Sequence, residues 1–438
     1  MKIINKIKIA GLGFVFVIFL AACNKISLDP IPLTPGPVAG TGSALGDTLK
    51  NSPNDSLFYR LLVRSGLLNT INNKSTAYTM FVPDNGGMKL FINAISGGQV
   101  PLNAPDAVFS GFITANIPVA TAQGIVSYNI SPQAIAFSNI PGTFPNFQYP
   151  SILNPAPTLS ALLRLTIFPS SANGRWVNNM PVTAVDLRAA NGYIHHTATL
   201  VTPPQRYLWD RINTDPELTY LKATVLRADS GTVTATNPGT LKGALLNIGA
   251  NLTVLAPTDA AFKAALTGAI YLKLLPIVTQ QLTAAYIAGG ATPADAAALA
   301  AANAPAMTQG QAIALASTPD VFSNPALFSV LTAQTVKGIL VYHILGKRAF
   351  TNNFPTTATL VPTLLNSALA THPGVTLQST FGVPFVSAAT AKGTFNTTAS
   401  NIIINAAPLT PDPVGTSDQH YLNGVLHKID QVLLPAPL

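Results

Sequence analysis

Three short segments occur twice in this 438-residue chain, in the same order in both halves. They are residues 78–85 and 252–259, residues 124–130 and 338–344, and residues 191–195 and 423–427. An ordered repeat of this kind indicates one folding unit present twice, because each copy must bring the same three segments together. The shared order constrains the fold more strongly than any single match between segments.

The second copy is the longer one. Pro83 and Tyr128 are 45 residues apart, whereas Pro257 and Tyr342 are 85 residues apart. Much of the extra chain falls near residues 266–327, where alanine is abundant and favours helix. We therefore predict added helices on the second copy.

The repeat divides the chain into two predicted domains. The first covers residues 55–204 and is the more divergent copy, and the second covers residues 205–438. The Asn-Gly pairs at residues 191–192 and 423–424 lie between strand-like runs. Each pair predicts a β-hairpin with a type I′ turn, in which both turn residues have positive φ.

Two further patterns predict helices. Val336, Leu340 and His343 recur at helical spacing, which places His343 on the apolar face of a helix. The stretch from Thr214 to Glu217, the only glutamate of the chain, fits a capping box at the start of another helix.

The amino terminus is typical of an export signal. Three lysines among the first eight residues precede an apolar run at residues 9–22, which is too short to span a bilayer. The run ends in Leu-Ala-Ala followed by Cys23, the only cysteine, and this ending resembles the lipobox of bacterial lipoproteins. The resemblance implies that the signal peptide, residues 1–22, is removed and that Cys23 carries lipid.

Residues 23–54 are rich in Pro, Gly, Ser and Thr, and they predict an extended tether between the lipid and the first domain. We expect an exported protein, anchored by its lipid to the outer membrane or cell surface of a Gram-negative bacterium. No second cysteine is available, so no disulfide is expected.

Charge is scarce along the chain. Only 9% of the residues are charged, and the formal net charge of +8 falls to +5 when the three lysines of the signal peptide are removed. Lys and Arg form no cluster that could follow a phosphate backbone, so we expect no nucleic-acid partner.

The sequence also lacks a recognisable catalytic pattern. The six histidines do not form a His-Glu-x-x-His site, and neither a Gly-x-Ser-x-Gly elbow nor a phosphate-binding loop is present. His195 and His196 are adjacent on a strand and point to opposite faces, which makes a poor chelating pair. We expect no catalytic residue, no metal and no cofactor.

The repeated segments resemble the motifs of the fasciclin-like adhesion domain. In that family a Thr-Val-Phe-Ala-Pro-Thr-Asp-type strand precedes a helix carrying Tyr-His and a closing Asn-Gly-x-x-His hairpin. The second copy carries all three, at residues 253–259, 342–343 and 423–427. The first copy departs from the pattern, because Asn129 stands where the histidine would be.

The resemblance implies an α+β fold class, with two tandem fasciclin-like domains that are each a small β-sandwich or wedge flanked by helices. It also implies a non-enzymatic role in adhesion or extracellular binding. The partners would be extracellular matrix, a cell-surface protein or a polysaccharide, together with the membrane that holds the lipid.

Two interpretations of Tyr342 and His343 stay open. The Tyr-His dipeptide is connected with integrin binding in animal members of the family, so both residues are candidate binding residues. The apolar helix face instead favours a buried, hydrogen-bonded His343. The equivalent positions of His195 and His427 likewise favour a repeated structural hydrogen bond within the Asn-Gly-x-x-His motif.

A glycan-capture lipoprotein that serves an outer-membrane nutrient importer is the alternative to adhesion. Glycan sites use exposed aromatic side chains. Trp209 lies in an apolar helix start, whereas Trp176 lies in a turn-like stretch and is the candidate for exposure. A hydrolase acting on cell-wall polymer is a third interpretation.

Overall fold

The computed structural model describes residues 41–233, 239–328, 331–382, 384–409 and 415–436. The predicted signal peptide, the predicted lipidation site Cys23 and the first part of the predicted tether lie outside these residues. All structural statements below concern the described residues.

Twelve α-helices lie in the described part of the chain: α1 Leu45–Lys50, α2 Ser56–Arg64, α3 Leu68–Ile71, α4 Asn85–Ile95, α5 Asp106–Asn116, α6 Val119–Tyr128, α7 Leu208–Thr214, α8 Thr219–Ala228, α9 Thr240–Leu246, α10 Asp259–Ala288, α11 Pro293–Leu315 and α12 Ala333–Tyr342. Short 3₁₀ turns occur at Pro53–Asp55, Phe137–Asn139, Pro319–Phe322, Pro325–Leu327, Thr351–Asn353 and Leu364–Ser367.

The strands of the first domain are β1 Tyr78–Pro83, β2 Ile130–Ser131, β3 Tyr149–Pro150, β4 Thr166–Ile167, β5 Pro169–Ser170, β6 Trp176–Val177, β7 Met180–Ala189 and β8 Gly192–Thr197. Those of the second domain are β9 Leu252–Pro257, β10 Ile344–Leu345, β11 Thr359–Val361, β12 Val375–Phe381, β13 Val386–Lys392, β14 Ser400–Ile402, β15 Gln419–Tyr421 and β16 Gly424–Ile429.

Each domain has its own sheet, and the central strands of the two sheets have the same arrangement. The first sheet has the order β2-β1-β8-β7-β6-β5, and the second has the order β10-β9-β16-β14-β13-β12-β11 with β15 also paired to β16. In both, the first long strand pairs in parallel with the closing strand and antiparallel with a two-residue strand. The register is also the same, because Tyr78 lies opposite Gly192 and Leu252 lies opposite Gly424.

The first long strand of each sheet, β1 or β9, is buried on both faces, as its apolar run requires. In β1, Met80 and Val82 join the core that the helices form on one face, while Phe81 joins a second core on the other face. In β9, Val254 and Leu255 divide in the same way. The chain is therefore α+β, with helices on one face of each sheet and a wedge of strands and loops on the other.

The predicted tether extends too far. Residues 45–54, assigned to the tether from composition, form α1 and a 3₁₀ turn that belong to the first domain. Leu45 and Leu49 are fully buried in its core. Two leucines at helical spacing supply enough apolar surface to hold the segment in place, despite its polar neighbours.

The alanine-rich segment forms a helical hairpin between β9 and α12. Phe262, Leu266 and Ile270 bury the first half of α10 in the core of the second domain. Further along, Ala296, Ala300 and Ala304 form a buried stripe along α11 that packs against α10. By length and composition alone, α10 is the one described helix that could cross a membrane, but its first half is a core helix here.

Candidate functional site

The asparagine of each Asn-Gly pair fastens the first helix of its domain to the sheet. In the first domain, Asn191 Oδ1 accepts a hydrogen bond from Leu45 N at 3.0 Å, and Nδ2 donates to Ile71 O at 2.8 Å. In the second domain, Asn423 Oδ1 accepts from Leu208 N at 3.0 Å. Leu45 and Leu208 begin α1 and α7, so equivalent asparagines satisfy equivalent helix starts.

Both predicted hairpins are present, but the predicted type I′ turns are wrong. The ladder pairs Ala189 with Gly192 and Tyr421 with Gly424, so each asparagine is the second residue of its turn rather than the first. Neither asparagine has positive φ. The hydrogen bonds to the helix fix these side chains and set the turn conformation.

The glycines of the two pairs lie against the neighbouring parallel strand. A Cβ atom on Gly192, whose φ is +150°, would lie 1.7 Å from Tyr78 O. A Cβ atom on Gly424 would lie 2.5 Å from Leu252 O. Glycine is required here because the backbones approach too closely to leave room for a side chain.

His195 and His427 make the same pair of hydrogen bonds. His195 Nδ1 accepts from Asp186 N at 3.1 Å, and Nε2 donates to a backbone carbonyl at 2.9 Å. His427 Nδ1 accepts from Asp418 N at 3.1 Å, and Nε2 donates to a backbone carbonyl at 3.0 Å. Burial lowers the pKa of both rings, so they remain neutral and act as structural crosslinks.

Tyr342 and His343 are both buried, with exposed fractions of 0% and 2%. Tyr342 OH donates to Gly374 O at 2.7 Å. His343 Nδ1 donates to Ile339 O, and Nε2 accepts from Leu433 N, both at 2.8 Å. Burial lowers the pKa of His343 to about 4, so the neutral ring joins the end of α12 to the closing segment of the chain.

The first domain makes the corresponding connection with an amide. Asn129 Nδ2 donates to Ile125 O and to Val201 O, both at 2.8 Å. The residue after the helix therefore joins its last turn to the closing segment in both domains. In this conformation neither Tyr342 nor His343 forms part of an accessible surface.

Trp176, the predicted candidate for an exposed glycan-stacking residue, is buried. It lies in β6 with only 4% of its surface exposed, so the predicted exposure is wrong. The turn that motivated the prediction is real, since Asn173 and Gly174 have positive φ. The chain then re-enters the sheet and carries the indole inward.

The position after each motif histidine holds a buried ion pair. In the first domain, His196 Nε2 lies 3.0 Å from Asp55 Oδ1. In the second, Lys428 Nζ lies 2.8 Å from Asp215 Oδ2 and 2.7 Å from Glu217 Oε2. The predicted capping box at Thr214 and Glu217 is wrong, because Thr214 is the last residue of α7 and the next helix, α8, begins only at Thr219. The Glu217 carboxylate instead binds a lysine on β16.

This difference predicts that the stability of the first domain depends on pH. The Asp55 carboxylate raises the pKa of His196, with Asp84 contributing, so the pair stabilises the fold below the unfolded-state pKa of about 6.5. That contribution is lost as pH rises through the raised pKa.

We expect His196→Gln to destabilise the first domain at pH 5 but to change its stability little at pH 9, whereas His196→Lys keeps the positive charge at both pH values. Urea unfolding followed by Trp176 fluorescence in a Trp209→Phe background reports this domain, and an equal loss at both pH values would contradict the prediction.

The domains meet through the 3₁₀ turn Thr351–Asn353. Asn352 Nδ2 donates to Asn178 O at 2.7 Å, and Asn353 Nδ2 donates to Thr143 O at 2.8 Å. These bonds join backbone carbonyls of the first domain to amide side chains of the second. The asparagines are buried at this junction, where such bonds are worth more than at the surface.

His420 on β15 occupies the centre of the junction. Its Nδ1 lies 3.3 Å from Tyr128 OH, and Arg348 donates to its Nε2. The ring packs edge-on against Phe168 and Phe350. Burial, followed by the Arg348 charge, lowers the pKa of His420 well below its usual range. The neutral ring therefore accepts a hydrogen bond from Arg348 and carries no positive charge.

Sequence reasoning missed the whole junction. Tyr128 and His420 are 292 residues apart, and no periodicity or local motif connects them. The run Thr351-Asn352-Asn353, polar residues directly after Phe350, was the available signal, because buried amides need partners from elsewhere in the fold.

The described residues contain no group of three or more His, Cys, Asp or Glu side chains that could hold a metal ion. His195, His343, His420 and His427 are each engaged in hydrogen bonds inside the protein. At these four positions the histidine rings join separate segments of the fold through hydrogen bonds.

The repeated sheet core defines an α+β protein with two domains of one topology. Residues 53–203 match the family model described as the Fasciclin domain, which covers about a third of the chain. The first domain is thus fasciclin-like, and the shared strand order and register extend that description to the second. The matched residues lie in the first domain, which is the copy whose motifs depart further from the family pattern.

A search of curated proteins finds no match to the chain. Among solved structures, the chain is similar to a FAS1 domain pair from the insect cell adhesion molecule fasciclin I, with 14% sequence identity. The similarity covers 86% of this chain and 95% of that chain, with a TM-score of 0.29. So low a TM-score carries no weight, and the tandem arrangement rests on topology and register.

Proposed function

We propose that this protein is an exported lipoprotein that binds extracellular partners through two fasciclin-like domains, without catalysis. The observation that carries the proposal is the match of residues 53–203 to the Fasciclin domain, a domain associated with adhesion and ligand binding. The motif histidines, asparagines and Tyr342 are used in internal hydrogen bonds, which leaves recognition to the outer surfaces and the domain junction.

Adhesion can be tested with the full chain. A non-adherent Gram-negative host that produces the protein would be applied to surfaces coated with matrix protein or with polysaccharide, beside the same host without it. Retention that depends on the protein and increases with its surface level supports the proposal. Equal retention of both hosts on every coating rejects adhesion.

The anchor is tested separately. Cys23→Ser removes the thiol that would be acylated, so we expect loss of palmitate labelling and a shift from the membrane fraction to the soluble fraction. Ser27→Ala keeps the thiol and serves as the matched control. Palmitate labelling of the Cys23→Ser protein would show that Cys23 is not the lipidation site.

Glycan capture for an importer loses its candidate residue, because Trp176 is buried. A saccharide site on this protein would have to use other side chains.

A further inference from the structure

A loop of the first domain, residues 153–165, carries the two most exposed large apolar side chains of the described residues. Leu159 is 70% exposed and Leu162 is 87% exposed. Single exposed leucines are common on protein surfaces, but these two lie three residues apart at the tip of one loop. The tip is therefore an apolar projection into solvent.

Hydrogen bonds within the loop hold the tip in this conformation. Leu165 N closes the base of the loop by donating to Leu153 O at 2.9 Å. Across the loop, Asn154 Nδ2 donates to Ser160 O at 2.8 Å, and the Arg164 side chain donates to two carbonyls of the tip. A loop braced in this way keeps its leucines exposed, so little conformational entropy is lost when the tip binds a partner.

The charges that flank the loop in sequence have one sign. No Asp or Glu occurs between Asp106 and Asp186, and the only charged residues in that stretch are Arg164 and Arg175. Arg164 directly follows the tip, is exposed, and uses one guanidinium nitrogen for its two bonds to the loop. A guanidinium group has five N–H donors, so Arg164 keeps donors for an anionic group beside the apolar tip.

The loop belongs to the domain that lies next to the proposed anchor. Cys23 is 18 residues before Thr41, where the described residues begin, so the chain between them spans at most about 60 Å. The first domain follows at once, since Lys74 Nζ donates to Gly42 O at 2.7 Å. A tether of this length would keep the first domain near the bilayer and give the loop a high effective concentration at its surface.

The size of the tip favours a bilayer over a protein as its partner. The tip, residues 157–164, has eight residues, whereas a stable protein interface uses about 20–30 residues on each side. A bilayer takes up a small apolar tip without any matching surface, and an arginine beside the tip can bind lipid phosphate.

We propose that this loop inserts Leu159 and Leu162 into an anionic bilayer surface, with Arg164 at the level of the lipid phosphates. The inference rests on the proposed anchoring of the protein to a membrane and adds a second contact to it. Burial of the two leucines should raise the ratio of inserted to free loop about 50-fold or more. Insertion would hold the first domain at the bilayer and leave the second domain to face extracellular partners.

The test places a tryptophan at the tip of the loop. The mature chain, with a hexahistidine tag in place of residues 1–23, is held on vesicles by a chelating lipid, so the result does not depend on lipidation of Cys23. In the Leu162→Trp protein we expect brominated acyl chains to quench the added fluorescence on phosphatidylglycerol vesicles, and to quench it less on phosphatidylcholine vesicles. Trp176 and Trp209 are only 4% and 7% exposed, so the wild-type protein supplies the background spectrum.

Leu272→Trp is the matched control, because Leu272 is 64% exposed on α10 of the second domain and its replacement should remain unquenched. Leu159→Ser in the Leu162→Trp protein should lower the ratio of inserted to free loop about sevenfold or more, since burial of one leucine is lost.

Three results would overturn the proposal: no quenching of the Leu162→Trp protein, equal quenching of the Leu272→Trp protein, or equal quenching on the two kinds of vesicle. A blue shift of the Leu162→Trp fluorescence that grows with protein concentration without vesicles would also overturn it, because the tip would then bind protein. The Cys23→Ser labelling experiment tests the anchor by itself, so failure of the loop and failure of the proposed anchor can be told apart.

Discussion

Gly192→Ala is expected to unfold the first domain, or to lower its free energy of unfolding by about 3–5 kcal/mol. The new Cβ atom would lie 1.7 Å from the backbone oxygen of Tyr78, and Tyr78 and Gly192 are paired on neighbouring strands, so neither backbone can move aside easily. The φ of +150° adds strain for any residue that has a side chain. Urea unfolding followed by Trp176 fluorescence, with Trp209 replaced by Phe, measures this domain separately.

The matched control is Gly124→Ala in α6. A Cβ atom on Gly124 would have no heavy atom within 4 Å, and the backbone is helical. This change should stabilise the same domain by about 0.5–1 kcal/mol. A Gly192→Ala protein as stable as the Gly124→Ala protein would show that β1 and β8 do not approach as closely as described.

His343→Ala is expected to lower the stability of the second domain by about 2–4 kcal/mol. The change removes the partners of Leu433 N and Ile339 O and leaves a cavity behind α12. His343→Asn should recover part of the loss, because Asn129 makes the corresponding connection in the first domain. Urea unfolding followed by Trp209 fluorescence in a Trp176→Phe background measures this domain.

The same variants decide between the two interpretations of the Tyr-His pair. Gln280→Ala, which alters an exposed residue on α10 of the same domain, serves as the control for general effects. Lower stability with unchanged adhesion supports the structural role. Lost adhesion at unchanged stability would contradict it and return His343 to the list of binding residues.

The repeated motifs predicted the central strands, hairpins and helix of each domain well. Each motif is a short segment, and its conformation follows mainly from its own residues. The Tyr78 and Leu252 strands, the closing hairpins and the helix before His343 each follow from a short pattern of apolar residues, glycine and asparagine. Equivalent positions in the two copies also predicted the shared bonding of His195 and His427.

The errors have a common physical cause, which is that a distant partner outweighed a local preference. Asn191 does not take the positive φ of a type I′ turn, because Leu45 N binds its side chain. Glu217 does not cap a helix, because no helix begins after Thr214, and its carboxylate pairs with Lys428 on β16 instead. Trp176 is buried by a sheet whose other strands lie elsewhere in the sequence.

The domain junction could not be predicted for the same reason. Asn352, His420 and Arg348 have no partners near them in sequence, and nothing local shows which surface of the first domain they meet.

The position of the closing strand has a consequence for the order of assembly during synthesis. β16 lies between β9 and β14, and its partner Leu252 is 172 residues before Gly424. The second hydrophobic core therefore stays open until the chain beyond Ile429 has left the ribosome. The first domain can close as soon as Val201 has emerged, so a nascent chain would for some time carry one finished domain beside one with an exposed sheet edge. A chaperone that recognises apolar strands would be expected to bind the unfinished second half during that interval.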